Sequence, residues 1–142
     1  SEGVKNNKLN LVNKGVFGEL ILDTYYSKIL KMETNGRSGG TTNLYIENGK
    51  NDLKKIICDQ KKAFFVKELM GRAGDITNGN YSVGASGIMI ENGEFAYPVN
   101  EVTIASNLLD MFKNITPLND LQFKTSTNSP SLLIESMTVA GK

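Results

Sequence analysis

Residues Glu68 to Ile115 read ELMGRAGDITNGNYSVGASGIMIENGEFAYPVNEVTIASNLLDMFKNI, and this stretch decides the fold. Tyr81–Glu91 and Glu94–Val102 are extended runs on either side of Asn92-Gly93. Asn-Gly favours positive φ at both central turn positions, which is what a two-residue hairpin connection requires. Ahead of the hairpin, Gly71–Gly79 (GRAGDITNG) is too glycine-rich for a regular element and reads as a loop. After it, Ala105–Phe112 is expected to be a helix with Leu108, Leu109, Met111 and Phe112 as its apolar stripe. Pro98 removes one ladder donor, so the second strand should be an edge there or carry a bulge. Gly84 and Gly87 inside the first strand point to a bulge or to the close approach of another backbone.

The same signals run outward through the chain. Lys8–Val12 alternates, Asn13-Lys14-Gly15 forms a turn, and Val16–Leu22 resumes an extended run. Asp23 or Thr24 caps a helix over Tyr25–Met32, Gly36–Gly40 is loop, and Thr41–Glu47 is a strand. Asn51 or Asp52 caps a second helix through Ile57, and Lys62–Leu69 is extended. Strands at Leu121–Thr125 and Leu132–Val139 close the chain. The expected class is therefore α+β, mainly antiparallel sheet with two or three short helices. A hairpin–helix–loop–strand order at Lys8–Glu47 and again at Tyr81–Thr125 points to an internal duplication.

The 142 residues fit a single domain spanning 1–142. With 16 basic and 15 acidic residues, the net charge of +1 offers no electrostatic case for nucleic acid. Lys54-Lys55 and Lys61-Lys62 read as solvated faces. No apolar run reaches membrane-spanning length and no signal peptide opens the chain, so no membrane partner is expected. The single cysteine, Cys58, cannot pair internally, in keeping with a cytoplasmic location. It has no histidine to activate it as a nucleophile and reads as a structural thiol on an apolar helix face. Glu91, Glu94 and Glu101 lie around the hairpin but read as surface carboxylates. The five tyrosines are scattered and should be half-buried with the hydroxyl reaching solvent. Ser1-Glu2-Gly3-Val4 reads as the interior of a longer chain.

The order of several short stretches resembles the C-terminal part of the TldD/PmbA family, on its PmbA (TldE) side. These are Glu68-Leu69-Met70-Gly71, Gly79-Asn80-Tyr81-Ser82, Ile90-Glu91-Asn92-Gly93-Glu94, Tyr97-Pro98-Val99 and Glu101-Val102-Thr103-Ile104. Asp23-Thr24-Tyr25-Tyr26-Ser27, Thr34-Asn35-Gly36, Asn119-Asp120-Leu121 and Met137–Gly141 extend it over most of the chain. The family, once called modulators of DNA gyrase, is now grouped with zinc metallopeptidases. The resemblance implies the C-terminal domain of a longer protein, missing its N-terminal half, that pairs as a heterodimer with a TldD-like catalytic subunit and acts on unfolded peptides. That subunit carries an HExxxH helix and a cysteine ligand near its end. Here there is no histidine, and Thr125–Ser131 reads TSTNSPS where that cysteine would stand. Zinc is thus expected only in the partner, with no cofactor and no catalytic residue in this chain. Family analogy makes Gly71, Arg72, Gly74, Asn78, Gly79 and Tyr81 a peptide-contacting loop. The alternative is an interaction module of the gyrase-modulator kind, with no peptidase role.

Overall fold

The computed structural model describes residues 3–71, 74–75 and 77–141. They divide into two compact units, one of Ser1–Tyr45 with Lys124–Thr127, the other of Ile46–Phe123 with Asn128–Lys142. The class is the expected one: among the described residues there are three short helices and mostly antiparallel strands.

In the first unit, β1 (Val12–Asn13) and β2 (Val16–Phe17) form a hairpin of two ladder pairs. Its turn is Lys14-Gly15, with φ of 49° and 78°. Pairing continues irregularly as Gly18 and Glu19 donate their amides to the Leu11 and Asn10 carbonyls. The run expected to stay regular to Leu22 therefore loses its ladder after Phe17. Asp23 caps α1 (Thr24–Leu30), its carboxylate accepting from the Tyr26 amide at 2.7 Å. Lys31 ends the helix in the left-handed region at φ 53°. Asn35 ties the following loop back, donating to the Leu20 carbonyl and accepting from the Leu22 amide. The strand expected over Thr41–Glu47 shrinks to β3 (Leu44–Tyr45), whose Leu44 amide donates to the Ser126 carbonyl at 2.8 Å.

The second unit opens with α2 (Leu53–Asp59), capped by Asp52. Then come β4 (Lys62–Met70), β5 (Asn80–Glu91) and β6 (Glu94–Asn107). Next are α3 (Leu108–Lys113) and β7 (Ile115–Pro117). The chain then runs through β8 (Thr127–Asn128, straddling the unit boundary), β9 (Leu132–Ile134) and β10 (Thr138–Ala140). The main sheet has the order β10-β6-β5-β4, all antiparallel. Val83, Ala85, Val102 and Ile104 form its buried cluster, with Phe64, Tyr81, Val99 and Met137 packed against it. Each large aliphatic side chain buried there contributes roughly 1.5–3 kcal/mol.

The glycine and proline expectations resolve together. A Cβ on Gly87 would overlap the Phe65 carbonyl oxygen, so β4 is the backbone that approaches closely. The ladder shifts register beside it on both sides, between Val66 and Glu68 and between Ala85 and Gly87. Opposite the second shift, Glu101 takes φ 56°, absorbing the extra residue of the bulge. Strand β10 pairs only with Thr103–Ala105, so β6 is an interior strand at that end and an edge at Pro98.

Several further expectations are corrected. Ala105, Ser106 and Asn107 extend the ladder to Ser82, Tyr81 and Asn80, so α3 starts at Leu108. Two members of its apolar stripe face solvent, Leu109 at 68% and Phe112 at 62% exposure. Leu121–Thr125 is not a strand: the Leu121 amide goes to the Asn48 side chain, and Asp120 accepts from both the amide and the hydroxyl of Ser131. Leu132–Val139 breaks in two where Ser136 turns at φ 61°. Cys58 is exposed rather than seated on an apolar face. Tyr25, Tyr26 and Tyr97 are likewise about half exposed or more, while Tyr45 and Tyr81 are half-buried.

Four Asn-Gly pairs punctuate the fold, and in each the glycine amide is engaged. Gly36 donates to Thr34 Oγ1, Gly49 to the Leu118 carbonyl, Gly79 to the Asp75 carbonyl and Gly93 to the Gln60 carbonyl.

Candidate functional site

The loop between β4 and β5 holds most of the residues that family analogy makes peptide-contacting. Arg72, one of its six candidate residues, lies outside the described residues. Gly71, Gly74 and Gly79 all have positive φ, at 95°, 87° and 75°. Those values explain why the loop needs glycine there.

Side-chain turns organise its second half. The Asp75 carboxylate accepts from the Thr77 amide and the Asn78 side chain from the Asn80 amide, both at 2.8 Å. Asp75 and Gly79 close the loop through backbone bonds, Asp75 N to the Asn80 carbonyl and Gly79 N to the Asp75 carbonyl. Asn107 then links it to the end of β6. Its Oδ1 caps α3 at the Leu109 amide (3.0 Å), and its Nδ2 reaches the Asn78 carbonyl (3.4 Å). The Leu108 amide donates to the Gly79 carbonyl at 2.7 Å. A Cβ on Gly79 would fall 3.0 Å from the Asn107 side chain, so glycine also permits this approach.

Gly74, Asn78, Gly79 and Tyr81 thus converge on the β6–α3 junction. Tyr81 is half-buried, and burial pushes its phenol above the ordinary value, so it stays a neutral hydrogen-bonding group near pH 7. Asn107 and Asp75 support the loop and were not singled out from the sequence. Asn107 gives a usable signal there, as a capping residue directly before Leu108-Leu109. Among its described residues the loop offers backbone and amide groups for contact and no acid–base pair.

The three hairpin carboxylates do not come together. Glu91 and Glu94 pair across the hairpin turn, while Glu101 lies seven residues along β6, on the order of 20 Å away at strand rise. Among the described residues, no group of three or more His, Cys, Asp or Glu side chains is placed to hold a metal ion. The donors this chain offers do not fit a catalytic zinc, which takes three protein ligands, commonly His with Glu or Cys. No described helix is long and apolar enough to cross a membrane.

This fold matches a metallopeptidase family. Residues 1–141 match the PmbA/TldA metallopeptidase C-terminal domain, and the chain belongs to that family. Within it the likeness runs to the PmbA side. Metalloprotease PmbA of Escherichia coli O157:H7 is 34% identical over 143 residues, covering 100% of this chain and 32% of that protein. A PmbA homolog of Buchnera aphidicola (strain Bp) is 37% identical, covering 99% and 32%. A TldD homolog of Buchnera aphidicola (strain APS) is 22% identical over 166 residues. Among solved structures, TldE from Thermococcus kodakarensis superposes with a TM-score of 0.80 at 29% identity, covering 98% of this chain and 35% of that one. A putative modulator of a DNA gyrase from Thermotoga maritima gives a TM-score of 0.87 at 26% identity, covering 97% and 34%. The chain spans about a third of the length of the relatives it matches.

Proposed function

We propose that this chain is the C-terminal domain of a PmbA-type, non-catalytic component of a zinc-dependent peptidase that acts on unfolded peptides with a TldD-like catalytic subunit. The donor set carries the reading: no histidine, and a single exposed cysteine. Higher identity to PmbA-named than to TldD-named relatives supports the assignment of side. The glycine loop, with its backbone groups and neutral Tyr81, suits contact with a peptide main chain rather than chemistry upon it. An exposed, unpaired Cys58 suits a cytoplasmic setting.

The test uses the full-length protein with and without a TldD-like partner. Chelator-sensitive peptide cleavage is expected only when both are present. Cys58→Ser is expected to leave zinc content and cleavage unchanged. Chelator-sensitive cleavage by the protein alone, or zinc lost in the Cys58 variant, would overturn the non-catalytic reading. Capture of gyrase in place of a TldD-like partner would move the assignment to an interaction module.

A further inference from the structure

Helix α1 is amphipathic, and its apolar side faces away from its own unit. At about 100° per residue, Tyr25, Ile29, Tyr26 and Leu30 fall within roughly 140° of arc, with no charge among them. An arc of that kind ordinarily packs on a core. Here all four side chains are 49–66% exposed, and the buried residue of the helix is Ser27, at 5%. The Ser27 hydroxyl is satisfied locally by donating to the Thr24 carbonyl at 3.0 Å, so the polar side can turn inward. Asn35 pins the helix entry at Leu20 and Leu22, and Asp23 caps the first turn. The inversion is therefore built into the unit rather than left to a loose segment.

The first unit has little else to bury. Among its described residues, Leu22 is the one buried apolar side chain. Val12, Val16 and Phe17 lie on the surface as well. So small a core does little to offset the entropy of ordering the chain around it.

Chain length points to what covers the face. The matched family model is a C-terminal domain, and this chain spans 32% of the PmbA relatives. The first unit holds the first residues of the match, so a preceding domain would be tethered directly to it. Tethering raises the effective concentration of such a neighbour far above that of a separate chain.

We infer that the Tyr25–Leu30 face of α1 docks on an uncharged, apolar patch of the preceding domain of the same polypeptide. The inference rests on the C-terminal placement proposed above and not on the peptidase activity.

Hydroxyl-radical footprinting of the dilute full-length protein, with no partner added, tests it. Tyr25 and Tyr26 are expected to oxidise about ten-fold more slowly than in the urea-unfolded protein. Ile29→Glu changes an exposed position, so the unit should still fold. Its charge would enter the apolar contact and raise oxidation at both tyrosines about ten-fold, with amide exchange at Val102 and Ile104 unchanged. If that variant fails to fold, Ile29→Ser is expected to move the same two tyrosines in the same direction by a smaller factor. Oxidation of Tyr25 and Tyr26 at the unfolded rate, or protection that survives the substitution at Ile29, would overturn the inference. Protection that grows with protein concentration would overturn it in favour of a second copy. Protection that appears only with a TldD-like subunit would overturn it in favour of that subunit. Absence of chelator-sensitive cleavage with such a subunit would remove the peptidase reading and leave this contact standing.

Discussion

Two hairpins in this chain turn in the same way and end very differently. Lys14-Gly15 and Asn92-Gly93 both place two successive residues at positive φ, 49° and 78° in the first, 51° and 83° in the second. The first turn closes two ladder pairs, the second eleven. Val12, Val16 and Phe17 of the short hairpin are 61–68% exposed, whereas β5 and β6 bury Val83, Ala85, Val102 and Ile104. Turn chemistry starts a hairpin; burial of one face extends it. A two-stranded ribbon without a covered face gains too little to hold a long ladder in water.

The largest expected effect that would break or sharpen this contrast comes from Gly87→Val. Its side chain would collide with the Phe65 carbonyl of the neighbouring strand. A destabilisation of about 3 kcal/mol or more is expected in urea titration. At Gly15 a Cβ meets nothing within 4 Å, so Gly15→Ala should cost only the positive-φ strain, about 1 kcal/mol. Comparable costs at the two sites would refute the contrast.

Truncating the side chains should separate the hairpins next. Ile104→Ala is expected to cost about 2–4 kcal/mol. Phe17→Ala, removing a side chain 65% exposed, should stay within about 0.5 kcal/mol. Asn107→Ala removes a helix cap and a tether of the Asn78 segment together. It should cost about 1 kcal/mol and speed amide exchange at Gly79 and Asn80, while exchange along β6 near Val102 stays slow.

The smallest effect concerns pH. The Ser131 hydroxyl and amide hold the Asp120 carboxyl below its ordinary value. A depressed folded value adds stability above the unfolded value and loses it as pH falls through the folded one. Because Asp120 is exposed, the contribution is small and screened. Asp120→Asn should lower stability slightly near pH 7 and flatten the acid limb, the two proteins converging at low pH.

The long hairpin was legible from sequence because three signals agree there: the Asn-Gly turn, extended runs on both sides, and glycines where a neighbouring backbone comes close. The boundary at Leu108 was not, since Ala105-Ser106 is compatible with either a strand end or a first helical turn, and ladder pairing with β5 decides it. Leu121–Thr125 failed for another reason. Its first amide, that of Leu121, goes to Asn48, and its flank is held by the Asp120–Ser131 bonds, contacts whose partners lie off the segment in sequence. At the candidate site the glycines and Tyr81 could be read directly. The clamp by Asn107 is a tertiary contact of sequence separation 29 and leaves only a capping signature in the local sequence.

The four Asn-Gly pairs that shape these turns also set how the protein ages. In such a dipeptide the glycine nitrogen attacks the asparagine side-chain carbonyl, expels ammonia, and leaves a ring that opens to aspartate or isoaspartate. Here each glycine N–H points at an acceptor other than that carbonyl: Thr34, Leu118, Asp75 or Gln60. Three of the four asparagines are further anchored, Asn35 and Asn48 by side-chain bonds to distant residues and Asn92 by its amide to Lys61. Asn78 accepts from the Asn80 amide through its side chain and is tethered by Asn107 at its carbonyl, so deamidation there should quicken when that tether is cut. The contact that shapes the loop therefore also governs how slowly it wears.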